Sequence, residues 1–194
     1  MASVMKDPVD HAATETARID DSLLLVVDVQ GRLARLMHRV DDMIRAQRIM
    51  IEACRLLDVP IVWAEQLPDK LGPTVDELQR PLQGLSACPK SSFGCLGDDT
   101  LRERIAQSGR RQVLLCGIEA HVCVWQTASA LIALDYSVHL VADAVSSRSV
   151  FNRDIGFRRM QQAGVHSSCV EMVLFELMRN ADHPRFREVS ALLK

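Results

Sequence analysis

The sequence predicts an α/β fold, a three-layer α/β/α sandwich around a central, mainly parallel, Rossmann-like sheet. Three observations carry this expectation. Residues 22–28 (SLLLVVD) form a continuous apolar run rich in β-branched residues, the pattern of a strand buried on both faces. Further short apolar runs alternate with stretches of helical periodicity along the chain, as right-handed β-α-β crossovers require. The 194 residues are 48% hydrophobic and 25% charged, enough for one well-filled globular domain.

Taken in order, the elements follow from local chemistry. Residues 1–20 read as a polar N-terminal arm, and 21–194 as a single domain. The first strand ends in Asp28. From Val40 to Leu57 the apolar residues Met43, Ile44, Ile49, Met50, Ala53 and Leu57 recur at helical spacing, and Pro60 ends the helix. Residues 60–64 (PIVWA) predict a second strand and 111–117 (RQVLLCG) another. A helical stretch follows from about Ala120 to Leu134, then a strand over 136–142. Between Leu67 and Gly97 four prolines and four glycines make the chain irregular, and a long connection of this kind is often functional.

Composition narrows the function. A net charge of −2, with no basic stripe interleaved with aromatics, argues against nucleic acid as a partner. Six cysteines at 54, 88, 95, 116, 123 and 169 form no C-x-x-C pair, so no disulfide or zinc framework is expected. The N-terminus carries Asp7, Asp10, Glu15 and Asp20 and no apolar core of a signal peptide. No apolar run approaches the roughly 20 residues of a membrane span. A soluble, reduced, cytoplasmic protein is expected, with a small molecule rather than a membrane as its partner.

Ligands of open parallel sheets bind at the carboxyl ends of the strands, and three residues fall there. Asp28 closes the first strand, as a solvated strand end or helix cap, or as a site carboxylate. Cys123 lies where a buried strand turns into a helix. It is either a packing cysteine or a thiol whose anion a helix N-terminus and a nearby ammonium would favour; on that reading it is the most acidic and most reactive of the six. Lys90, in the irregular segment, is a surface lysine unless it meets the other two. His121 stands two residues before Cys123, a spacing that does not share a helix face. No dinucleotide, phosphate-loop or serine-elbow motif is present, and histidine is absent from 39 through 120, which disfavours a zinc or iron site there.

Residues 26–30 (VVDVQ), 89–93 (PKSSF) and 116–128 (CGIEAHVCVWQTA) together resemble the isochorismatase-like cysteine hydrolase superfamily in order and spacing. The tail, with 143–148 (DAVSSR) and 183–188 (HPRFRE), is similar to the isochorismatase-domain-containing branch, whose substrate is unassigned. The resemblance covers roughly residues 20 to 194. It implies an Asp28–Lys90–Cys123 triad. Asp28 takes the thiol proton, Cys123 attacks an acyl carbon to form a thioester that water releases, and Lys90 favours the thiolate. It also implies a cis peptide between Ile118 and Glu119, whose N–H joins that of Cys123 in an oxyanion hole. Gln30 and Phe93 are expected to line the pocket.

Nicotinamidases of the superfamily carry one Asp and two His as metal ligands after the second strand. This chain has WAEQLPDK at 63–70, so no metal and no cofactor are expected. Isochorismatases cleave a vinyl ether, for which a thiol is dispensable, so Cys123 leans the expectation toward a small amide or related C–N bond. Vinyl-ether hydrolysis, a non-catalytic scaffold that keeps the fold, and a thiol redox protein pairing Cys123 with Cys88, Cys95 or Cys116 remain as alternatives. Apolar stretches over 120–134 and 170–178 predict a homo-oligomer.

Overall fold

The computed structural model describes residues 15–194, so most of the polar arm expected over 1–20 lies outside the described residues. The sheet has six strands: β1 (Ser22–Val27), β2 (Ile61–Gln66), β3 (Cys88–Lys90), β4 (Gln112–Ile118), β5 (Ser137–Ser146) and β6 (His166–Ser168). They run in the order β3-β2-β1-β4-β5-β6, with every neighbouring pair parallel. Around them lie α1 (Gly31–Ala34), α2 (Val40–Leu56), α3 (Pro68–Leu71), α4 (Asp76–Gln79), α5 (Asp99–Gln107), α6 (Trp125–Ala133), α7 (Val150–Gln162), α8 (Val170–Met178) and α9 (Phe186–Leu192). Helix α2 packs with α8 and α9 on one face of the sheet, while α5, α6 and α7 cover the other. This is the α/β/α sandwich that the alternating pattern predicts.

Every residue of β1 and β4 is buried, because both strands are central and covered on both faces. Reversal of strand order between β1 and β4 opens a crevice at their carboxyl ends, the usual ligand position in such sheets. Close β1–β4 packing depends on Gly117. It pairs with Val27 at φ +125°, and a Cβ there would sit 2.1 Å from the Val27 carbonyl oxygen.

Two strands escape the sequence pattern. In the segment expected to be irregular, Cys88–Lys90 pairs with β2 as an edge strand, and β6 forms an edge beside β5. Each is three residues long, too short to show a periodicity of two. Residues 15–18, the described part of the polar arm that precedes Asp20, are held against the domain. Gln112 bonds Glu15, the Thr16 carbonyl and the Arg18 N–H, the Ala17 N–H donates to Glu176, and Ala17 is fully buried.

Glu15 of that segment acts electrostatically on a histidine pair. His139 and His166 are register partners on β5 and β6 and stack with ring centroids 5.0 Å apart. Burial, assisted by His166 and opposed by Glu15, pushes the His139 imidazole down to about 4. An unfolded histidine titrates near 6.5, so the unfolded chain binds more protons between these values and stability falls as pH drops through that window. The loss reaches about 3 kcal/mol by pH 4. Denaturant unfolding at pH 7 and pH 4.5 is expected to show a smaller pH-dependent loss for His139→Asn than for the parent; equal losses would contradict it.

Candidate active site

Asp28 follows β1 in a left-handed conformation, φ 56°, which aspartate tolerates better than most residues. Its N–H donates to the Ala64 carbonyl on β2, and its carboxylate stands at the β1 end of the crevice, 2% exposed. Lys90 ends the edge strand β3 and spans β2 to reach it. Lys90 Nζ donates to Asp28 Oδ2 at 2.7 Å, to Gln66 Oε1 at 2.6 Å and to the carbonyls of Ser92 and Phe93 at 3.1 and 3.0 Å. The ammonium is thus buried and saturated with acceptors, which is how a lysine of the irregular segment becomes part of the interior.

Cys123 lies in a single π-helical turn, Ala120–Val124, that leads from β4 into α6. The Val124 N–H donates to the Glu119 carbonyl five residues back, which winds the turn wider than an α-helix. Gly156 of α7 lets a second helix press on this turn, because a Cβ there would lie 2.8 Å from the Ala120 backbone. The thiol is buried beside the Asp28 carboxylate, and each group acts on the titration of the other.

These electrostatics differ from the sequence expectation of an acidic thiol. Burial first and the Asp28 carboxylate second push the Cys123 thiol up, with Lys90 opposing. Burial also raises the Asp28 carboxyl, and Lys90 pulls it back. Lys90 is engaged by four acceptors, one of them a carboxylate, so its charge is largely compensated before it acts on sulfur. At rest the proton therefore belongs to the thiol, and Asp28 is a base of raised affinity next to it. Asp28 Oδ1 is buried without a hydrogen-bond partner, which leaves one oxygen free to receive that proton.

The remaining expected residues fall as follows. The Ile118–Glu119 peptide is cis. Phe93 is half exposed beside the site, and its carbonyl, rather than its ring, is what binds Lys90. Gln30 does not line a pocket: it is fully buried, with Nε2 donating to the Gln66 and Gly72 carbonyls and Oε1 accepting from Gln66 N–H. All its polar atoms are engaged by backbone, so it holds the loops after β1 and β2 together. His121 Nδ1 is 3.0 Å from Ser147 Oγ, which ties the turn that carries Cys123 to the end of β5.

Sequence reasoning missed Gln66, which fixes Lys90, and the pair Glu119–Arg148. Glu119 Oε2 accepts from Arg148 N–H at 3.0 Å and from its Nε at 3.1 Å. Neither side chain shows a local sequence signal; register and strand order alone reveal both. On β2, Glu65 Oε1 accepts from Thr74 N–H and Oγ1 at 2.7 and 2.8 Å. Among the described residues no three His, Cys, Asp or Glu side chains converge to share a metal ion. Nor is any helix among them long and apolar enough to cross a membrane.

The isochorismatase domain model matches residues 22–172. Isochorismatase domain-containing protein 2 of Danio rerio is 37% identical over 172 residues, covering 89% of this chain and 86% of the relative. A solved structure described as the MAR1 ribonuclease of Caenorhabditis elegans superposes with a TM-score of 0.87 at 34% identity over 92% of each chain. The YcaC gene product of Escherichia coli, described as an octameric hydrolase of unknown specificity, shares the fold with a TM-score of 0.83 at 21% identity, over 92% of this chain and 87% of that one. With the family model matched over residues 22–172 and a relative 37% identical over 89% of its length, the chain belongs to the isochorismatase family of hydrolases.

Proposed function

We propose that the chain is a metal-independent cysteine hydrolase that cleaves a small-molecule amide or related C–N bond through a thioester on Cys123. The observation that carries this reading is the Asp28 carboxylate. Lys90 fixes one of its oxygens, and the other is buried, unpartnered and beside the thiol. In the first half-reaction Asp28 takes the thiol proton as sulfur bonds to the acyl carbon. The N–H groups of Glu119 and Cys123 receive the oxyanion. Protonated Asp28 then passes its proton to the leaving nitrogen as the C–N bond breaks. Water, deprotonated by Asp28, releases the acid and restores the thiol.

Metal independence is supported by Glu65, whose carboxylate is already held by Thr74 in the segment after β2. A phosphodiester substrate finds no support in a chain of net charge −2. Six free thiols suit a reducing compartment such as the cytoplasm.

The test is ammonia release from a panel of small primary amides, with and without EDTA, using the parent and Cys123→Ala. Turnover that survives the chelator and falls at least about a thousandfold in the variant is expected. Undiminished turnover in Cys123→Ala, together with cleavage of a vinyl ether, would instead favour Asp28 acting as a general acid without the thiol.

We also propose that the chain is a homo-oligomer. Val150, Phe151 and Ile155 on α7 and Met172 and Phe175 on α8 are exposed, with Phe151 at 71%, more apolar surface than these helices need leave in water. Light scattering at micromolar concentration should give a mass of at least two chains; a monomer mass would contradict it.

A further inference from the structure

One buried thiol close to the catalytic pair has no part in the hydrolysis. Cys95 is fully buried at the end of the loop that follows β3, residues 91–97. That loop is built tightly onto the nucleophile's helix. Cys95 N–H donates to Thr127 Oγ1 at 3.0 Å, and Thr127 stands four residues beyond Cys123, about one turn along the same side of the helix. Gly94 lies so close to Gln126 that an added Cβ would be 3.3 Å from its backbone, and Gly97 folds back on Ser92. The same loop supplies the Ser92 and Phe93 carbonyls that hold Lys90. Cys95 thus sits between Lys90 and α6, within electrostatic reach of Cys123, Lys90 and Asp28. Its thiol is protonated at neutral pH, pushed up to about 12 by burial, so it does not compete as a nucleophile at rest.

We infer that Cys95 is a resolving cysteine for Cys123, making the active site a reversible peroxide-sensitive modification site. This rests on Cys123 being the accessible nucleophile of the hydrolase reading. In the first step Asp28 takes the Cys123 proton and sulfur attacks one oxygen of a hydroperoxide. The O–O bond breaks, Cys123 becomes a sulfenic acid, and the peroxide is reduced to water or an alcohol, which receives the proton. In the second step the Cys95 sulfur displaces hydroxide from the sulfenic sulfur, its own proton leaves with that hydroxide as water, and an S–S bond forms. A thiol reductant reverses the bond. Without a partner sulfur the sulfenic acid would proceed to sulfinic acid, which such a reductant does not restore.

The experiment treats the reduced full chain with a small excess of hydrogen peroxide. Remaining thiols are then blocked with N-ethylmaleimide and the peptides mapped by mass spectrometry, for the parent, Cys95→Ser and Cys95→Ala. The expected product in the parent is a linked Cys95–Cys123 peptide that dithiothreitol separates. In both variants Cys123 should go to sulfinic acid, with the fraction of unmodified Cys123 recovered by dithiothreitol falling at least about fivefold. Sulfinic Cys123 in the parent, or linkage of Cys123 to Cys88, Cys116 or Cys169, overturns the resolving role and leaves the hydrolase reading standing. Cys123 left untouched while the partly exposed Cys169 is oxidised overturns both.

Discussion

Replacing Lys90 with methionine is expected to destabilise the fold by about 3–5 kcal/mol and to raise the Asp28 carboxyl further. Both partners of the Lys90–Asp28 pair are almost wholly buried, with side-chain exposures of 0% and 2%. Removing one therefore leaves the other as an uncompensated charge. Methionine fills much of the same volume, so the loss is electrostatic rather than a cavity. Asp28 is already raised by burial, and without the ammonium it rises further.

The sign follows from linkage. A carboxyl raised in the folded state binds more protons there than in the unfolded chain, so stability grows as pH falls through the raised value and is lost as pH rises through it. The variant should therefore be least stable, relative to the parent, at neutral pH and should recover part of the deficit toward pH 5. Lys90→Met combined with Asp28→Asn should be more stable than Lys90→Met alone. Denaturant unfolding of the three proteins at both pH values checks this. A single variant as stable as the parent at pH 7 would mean that the pair is not buried as described.

Gly117→Ala is expected to be the most damaging single methyl group in the chain, costing more than about 4 kcal/mol and leaving little folded protein. Its Cβ would meet three backbone atoms of Val27 at 2.1–2.8 Å, and φ +125° lies outside what an alanine adopts. Neither central strand can move aside, because β1 and β4 are each packed on both faces. Gly109→Ala is the control. It also has positive φ, at 67°, but nothing lies within 4 Å of its added Cβ, so its cost should stay near 1 kcal/mol. Circular dichroism and thermal melts of the two variants separate the clash from conformational strain alone; equal stability of the two would remove the close-approach argument.

The sequence by itself determined the α/β class, because a buried parallel strand must be apolar on both faces and a surface helix on only one. The runs at 22–28 and 111–117 and the periodic stretch at 40–57 therefore announce themselves. It also indicated Asp28 and Cys123, since a residue at the carboxyl end of a strand is positioned by chain direction. Only the tertiary structure decided the rest. Lys90 enters the crevice because β3 adds at the edge of β2, and nothing in three residues between prolines and glycines foretells that pairing. Gln30 looked like a pocket residue and proved to be a brace, because hydrogen-bond partners 36 and 42 residues away are invisible to local pattern. The thiol's acidity reversed for the same reason. A helix end and a lysine both argue for an anion, but burial and a carboxylate at close range outweigh them, and both depend on what the whole fold places around one sulfur atom.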